Sequence, residues 1–310
     1  VFERIIVTLD GSASSEAALR AATELARRLA GPGRAAPSLY LLHVLESRPP
    51  KAVHGERHLA SAAEAEAYLA PLAERLGAEG ITSSFHVHED GPESRASGEK
   101  GVADSVAEHE AEFGNDLAVM SAHGRHGLSG ELSGSLPLRV AASGGAAVLL
   151  VPPNLSGGFA PRRIVLPLDG RPDHEAALPA ATALAKAFGA KVLLVAAVPR
   201  SAAQAGGPGS AFALLAPALS GASIDYAVEG SQAYLAKVAS RLGAEGLEAE
   251  ARVLRGRPAK AIVAGCEEGD LLVLSTHRKL GLDASLDGCV AFDAARRWRG
   301  AMLVAPVARG

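Results

Sequence analysis

Short apolar runs and longer stretches of helical period alternate along the first half of the chain. The apolar runs fall at about residues 4–9, 39–45, 82–88, 116–121 and 147–151, and patterns of period 3.6 fall near 14–30, 61–77, 95–113 and 135–143. Runs such as IIVTL and LLVLS are apolar at every position, which suits strands covered on both faces. Regular alternation of such strands with helices predicts a parallel sheet with helices on both sides. In open sheets of this kind a ligand sits at the carboxyl ends of the strands, near the switch in strand order.

The same pattern is written twice. YLAPLAERLGAEG (68–80) returns as YLAKVASRLGAEG (234–246) with ten of thirteen positions identical. RIIVTLDGSASSEAALRAATELARRLA (4–30) matches RIVLPLDGRPDHEAALPAATALAKAFG (163–189), HVHEDGPES matches RVLRGRPAK, DLAVMSAHG matches DLLVLSTHR, and AAVLLVP matches GAMLVAP. An offset near 160 residues is too long for a solenoid and fits a duplicated domain. The expected organisation is a first domain at 1–153, a linker at 154–162 rich in turn residues, and a second domain at 163–310. The fold class expected is α/β, with two tandem open-twisted parallel five-stranded sheets related by a pseudo-twofold axis.

Composition narrows the function classes. The chain has 310 residues, 48% hydrophobic, 21% charged and 4% aromatic, with a formal net charge of −3. A near-neutral balance disfavours nucleic acid as the main partner, because phosphate backbones are held by basic stripes. Neither an apolar run of about 18 residues nor a charged-then-apolar leader is present, so no membrane partner and a cytoplasmic setting are expected. Cys266 and Cys289 have no metal-type spacing and are expected to be free thiols.

The stretch after the fourth apolar run, SAHGRHGLSGELSGS (121–135), bears on function. It is either a glycine-rich surface loop or a backbone cradle for phosphate. It carries neither a Walker ending nor the GxGxxG fingerprint. Gly124 allows a backbone to approach a ligand with no Cβ in the way. Gly134, Ser135 and Leu136 stand at the start of the next helical pattern, where free N–H groups and the helix dipole favour an anion.

With VTLDGS ending the first strand and AAVLLVP forming the last, this stretch resembles the universal stress protein family. The family's ATP-binding members carry Gly-x2-Gly-x9-Gly-Ser/Thr. Gly124 takes the second glycine position here, nine residues follow, and Gly134-Ser135 close the motif, while Ser121 holds the first glycine position. The resemblance spans both halves and implies a tandem stress-response protein that binds ATP, with or without Mg, in its first domain. It implies contacts to the nucleoside from Asp10, with Thr8 beside it, and an adenine contact from Val44. Met120, Ser121, Gly124 and Arg125 would border ribose and phosphate. Asp10 has a second reading as a shaper of the first helix's turn, Val44 as core, and Arg125 as a solvated loop charge.

The second copy departs from the motif. Its segment STHRKLGLDASLDGC puts Arg278 where the cradle needs glycine and Cys289 where it needs serine, with Asp283 and Asp287 nearby. Asp169 persists in PLDG, so a nucleoside half-site is conceivable there. The second domain is expected to act chiefly as a partner, its last strand pairing with that of the first as in family dimers, and two chains could form a homodimer.

Other residues carry weaker signals. His86 and His88 alternate on one strand and form a geometric clip, but no third ligand is legible nearby, so no metal is expected. His109 reads as a solvated helix face. The segments 46–59 and 199–223 are long connections of the kind that serve as lids or docking surfaces. Rival functions are a nucleotide-free interaction scaffold, an AMP or cyclic AMP binder, and a weak ATP hydrolase. No catalytic residue is named.

Overall fold

The computed structural model describes residues 2–46, 52–53, 56–89, 98–122, 135–155, 158–200, 221–276 and 290–307. The chain divides into two compact units, Val1–Ala160 and Pro161–Gly310.

Unit 1 runs β1 (Arg4–Thr8), α1 (Ala13–Leu29), β2 (Ser38–Leu45), β3 (Ala52–Val53), β4 (Glu56–Arg57), α2 (Ala62–Ala78), β5 (Ser83–Glu89), α3 (Gly98–Phe113), β6 (Leu117–Ser121), α4 (Ser135–Ser143) and β7 (Ala147–Val151). Its main strands pair in parallel in the order β7-β6-β1-β2-β5. Strand order therefore reverses at β1, whose neighbours are β2 on one side and β6 on the other. The all-apolar runs behave as expected, since every residue of β6 and β7 is buried. The connection after β2 carries the small antiparallel ribbon β3–β4.

Unit 2 runs β8 (Arg163–Pro167), a 3-10 turn (Pro172–Ala177), α5 (Leu178–Phe188), β9 (Lys191–Val198), α6 (Gly221–Ala244), β10 (Ala249–Arg255), α7 (Pro258–Ala264), β11 (Asp270–Thr276), α8 (Val290–Arg297) and β12 (Met302–Pro306). The strands repeat the arrangement in the order β10-β9-β8-β11-β12, all parallel.

Local chemistry explains where the helices start and which face they bury. Ser12 caps α1 by accepting from the Ser15 N–H at 3.0 Å, and Arg27 and Arg28 in the last turn suit the negative end of the helix dipole. The buried face of α1 is mostly alanine (Ala17, Ala18, Ala21, Ala22, Ala26) with Leu25 and Leu29, so the helix approaches its sheet closely. α2 starts at Ser61, which accepts from the Glu64 N–H, while Glu64 reaches back to the Ala60 N–H. That reciprocal arrangement is a variant of the capping box. Its narrow stripe of Ala65, Leu69, Leu72 and Leu76 faces inward. Truncating a fully buried leucine such as Leu69 to alanine would cost about 2–5 kcal/mol.

The segment most alike between the two copies carries one cross-helix contact twice. The Tyr68 hydroxyl donates to Glu16 at 3.3 Å, and the Tyr234 hydroxyl donates to Glu175 at 2.8 Å. Burial first, and then the neighbouring carboxylate, push both phenols above their ordinary value. Elsewhere the copies diverge. Pro92 and Asp116 are 24 residues apart in the sequence, whereas their counterparts Pro258 and Asp270 are 12 apart. Most of the difference shows in the helix: α3 has 16 residues and α7 has seven. α3 is also tied to the turn before β7, because the buried Glu110 carboxylate accepts from the Gly145 and Ala146 N–H groups at 3.2 and 3.3 Å. A Cβ at Gly144 would collide with that carboxylate.

Candidate functional site

The site is built at the carboxyl end of β1, where the strand order reverses. Leu9 continues the ladder by donating its N–H to the Leu42 carbonyl at 2.9 Å. The chain then turns sharply through Asp10, Gly11 and Ser12. Asp10 Oδ1 accepts from the Ser12 N–H at 2.9 Å and from the Ser12 hydroxyl at 2.6 Å. The Asp10 N–H points toward Ser15 Oγ at 3.4 Å, and Ser15 Oγ donates to the Ser12 carbonyl at 2.9 Å. Asp10 thus holds the residue that caps α1, which is its turn-shaping reading. A carboxylate has about four acceptor directions, so shaping this turn does not by itself exhaust what Asp10 can accept.

Gly11 takes φ +85, and a Cβ there would lie 2.7 Å from Leu59 Cγ. Leu59 is buried, and its N–H donates to the Asp10 carbonyl at 3.0 Å. The end of the long connection after β2 is therefore pinned onto the β1–α1 turn. Beneath it His43 Nδ1 donates to the Leu9 carbonyl at 2.8 Å, with the His58 ring 5.8 Å away edge-on. Burial is the main reason His43 is held below the ordinary imidazole range; the Leu9 bond opposes the shift and His58 adds to it.

The neighbouring strand end belongs to β6. The register pairs Val7 with Val119, so two residues further on Leu9 comes level with Ser121. Met120 and Ser121 are both buried, and Ser121 Oγ has no hydrogen-bond partner among the described residues. A buried hydroxyl without a partner is costly, by about 1–3 kcal/mol, so this group is disposed to take one. Thr8 is half-buried at the end of β1, and Val44 is buried on β2, level with His88 of β5. α4 begins at Ser135, with Leu136 half-buried in its first turn. Gly124, Arg125 and Gly134 lie outside the described residues. The structure therefore gathers Thr8, Asp10, Met120 and Ser121 at one switch point, with Val44 one strand away.

Unit 2 places Asp169 at the equivalent strand end and surrounds it differently. Its Oδ1 accepts from His174 Nδ1 at 2.7 Å and from the Arg171 N–H at 3.1 Å. Burial opposes ionisation of Asp169, but the His174 hydrogen bond and charge, followed by Arg171, hold it below the usual carboxylate range. Arg278, Asp283, Asp287 and Cys289 lie outside the described residues. Cys266 is a free thiol, pushed up to about 12 by burial and by Asp270.

The universal stress protein family model matches the chain twice, over residues 2–152 and 161–306. The chain belongs to the universal stress protein family. A universal stress protein from Archaeoglobus fulgidus DSM 4304 is similar over 98% of this chain and 96% of its own, at 15% identity and a TM-score of 0.68. A protein from Pseudomonas aeruginosa UCBPP-PA14 described as a universal stress protein covers 99% of this chain and 94% of its own, at 16% identity and a TM-score of 0.63. The cytoplasmic domain of a prokaryotic cation chloride cotransporter is also similar, over 98% of this chain and 95% of its own, at 14% identity and a TM-score of 0.57. At these identities the likeness establishes the tandem α/β fold. No curated protein matches the chain. Among the described residues of this universal stress protein, no helix is long and apolar enough to cross a membrane.

One expectation from the sequence is corrected. His109 is no solvated helix residue: it is 4% exposed and its Nδ1 donates to the Ser105 carbonyl at 2.7 Å. The signal was present, since position 109 continues the stripe of Gly101, Ser105 and Val106 that α3 buries. Ser12 adds a signal that the sequence also carries, a serine directly before a helical pattern, which is a favoured N-cap.

Proposed function

We propose that this universal stress protein binds one adenine nucleotide, ATP in the first instance, at the switch point of unit 1. The observation that carries the proposal is Ser121 Oγ, buried and without a partner, at the strand end beside the one that carries Asp10. A hydroxyl donor and a carboxylate acceptor on adjacent strand ends suit a ligand that offers both phosphate or ribose oxygens and amine or hydroxyl hydrogens. The Gly124–Gly134-Ser135 spacing and the start of α4 supply the expected phosphate cradle. Mg would accompany the phosphates, and Thr8, Val44, Met120, Arg125 and Leu136 would line the rest. Regulation through nucleotide occupancy is the role proposed, with AMP or cyclic AMP as competing ligands of the same pocket.

Mass spectrometry of nucleotide released from denatured protein, followed by titration of stripped protein, tests this. The expected result is one ATP per chain, and Gly124→Leu should weaken it at least tenfold, about 1.4 kcal/mol. Absence of any nucleotide affinity in the parent protein would favour a scaffold role instead.

The pairing of the two last strands is a separate proposal that rests on the sequence. AAVLLVP and GAMLVAP are short, apolar and uncharged, and such edges seek partners. Lysine at both Leu150 and Val304 should raise protease cutting in the linker, and unchanged cutting would remove this proposal.

A further inference from the structure

We propose that His86, His88 and His109 form a binding site in unit 1 for a divalent transition metal of the zinc type. The site does not depend on the nucleotide reading. His86 and His88 project from the same face of β5, two residues apart, and α3 lays His109 over them. One ligand nitrogen from each ring lies within 4.8 Å of the other two. Ring centroids are 5.1 Å apart for His86–His109, 4.7 Å for His88–His109 and 6.4 Å for His86–His88.

Tetrahedral zinc at about 2.0–2.1 Å from each nitrogen would set the ligands about 3.3 Å apart. Metal binding would draw the half-buried His86 and His88 side chains inward from the present spacing. The third ligand is already aimed. Because its Nδ1 hydrogen is committed to the Ser105 carbonyl, the His109 lone pair is on Nε2. A metal-bound histidine is commonly oriented by such a bond from its other nitrogen to a carbonyl. Imidazole sets favour zinc, copper and nickel over magnesium or calcium. Three nitrogens leave a fourth position for water.

The alternative is a simple ring cluster, since Phe113 packs against His109 at 5.8 Å and Tyr40 against Phe113 at 4.3 Å. Aromatic packing accounts for His109 against Phe113 and for His86, which lies 6.4 Å from Tyr40 and 6.5 Å from Phe113, but not for His88. It does not explain three imidazoles converging on one point while one is held by a backbone carbonyl. Unit 2 provides an internal contrast. The residues matching His86 and His88 are Arg252 and Leu254, and the helix that would supply the third ligand is shortened to α7. One metal per chain is therefore expected.

The test uses full-length protein stripped with EDTA and titrated with zinc against a chromophoric chelator. The result expected is one zinc per chain, and cobalt in its place should show the intense visible absorption of a four-coordinate ion. The double variant His86→Gln/His88→Gln and the single variant His109→Gln should each lose at least about 100-fold in affinity, beyond the range for losing an orienting partner alone. His174→Gln, in unit 2, should bind like the parent. Should His109→Gln fail to fold, the double variant on the half-buried strand decides. Failure of the parent to bind zinc stoichiometrically, or undiminished binding by the double variant, would overturn the proposal.

Discussion

The ends of β1 and β8 carry the same Leu-Asp-Gly sequence and do different things with it. In unit 1 the aspartate sits among serine hydroxyls: Asp10 holds Ser12, and Ser12 caps α1. In unit 2 the positions of Ser12 and Ser15 are held by Arg171 and His174, and the carboxylate accepts from the Arg171 backbone N–H and from His174 Nδ1. The helix start also changes, from a side-chain-capped α-helix to a 3-10 turn without a side-chain cap. A duplicated carboxylate thus keeps its place in the fold, and keeps a backbone N–H from two residues on, while its side-chain partner changes from a serine hydroxyl to an imidazole. The residues two and five positions further on decide what the carboxylate can accept.

The largest effect expected from this contrast is on nucleotide binding. Asp10→Ala should reduce ATP affinity at least about 100-fold, roughly 2.7 kcal/mol, whereas Asp169→Ala should leave it within about twofold. Calorimetric titration of both variants measures this, and equal losses would mean that the two units bind alike. A smaller effect is expected at the helix starts. Ser12→Ala should cost about 1 kcal/mol of stability through the lost cap, while Arg171→Ala should stay within about 0.5 kcal/mol, as for an ordinary surface change. Denaturant unfolding of the two variants reads the difference.

The smallest effect expected is on the response to acid. His43 is held below its ordinary value in the folded chain, so the unfolded chain binds its proton more readily. Its neutral form therefore contributes stability that is fully present above about pH 6.5 and is lost as pH falls from there toward the folded value. Asp169 is also depressed, but as a carboxylate its contribution persists until pH falls below about 4. Mild acid should thus loosen unit 1 before unit 2. Hydrogen exchange along the metal-free chain at pH 7 and pH 5.5 should show faster exchange in β1 and β2 than in β8 and β9. His43→Leu should remove the difference if it folds as the parent does, and equal exchange in the parent would contradict the assignment.

The metal proposal sharpens the same contrast from another side. α3 and α7 occupy corresponding places in the two copies, but α3 has 16 residues and α7 only seven, and α3 carries His109 over the β5 face. Twelve residues of difference in the sequence become a change in which side chains can converge.

The sequence by itself determined the α/β class, the duplication and the main strand and helix positions of unit 1, because those are written in local periodicity; the β3–β4 ribbon was not among them. Apolar runs covered on both faces read as strands at 4–9 and 116–121, and the β1 end with Asp10 followed directly. The spacing from Gly124 to Gly134-Ser135 is likewise a local pattern. Only the tertiary structure decided that His109 meets His86 and His88, because that depends on the phase of α3 as it packs on the sheet, some twenty residues away along the chain. Packing also decided that Ser121 Oγ is buried without a partner, since satisfaction of a hydroxyl depends on every element around it. Leu59 returns to the Asp10 turn for the same reason: no periodicity in the connection encodes where its end is pinned, whereas the missing Cβ of Gly11 leaves room for it.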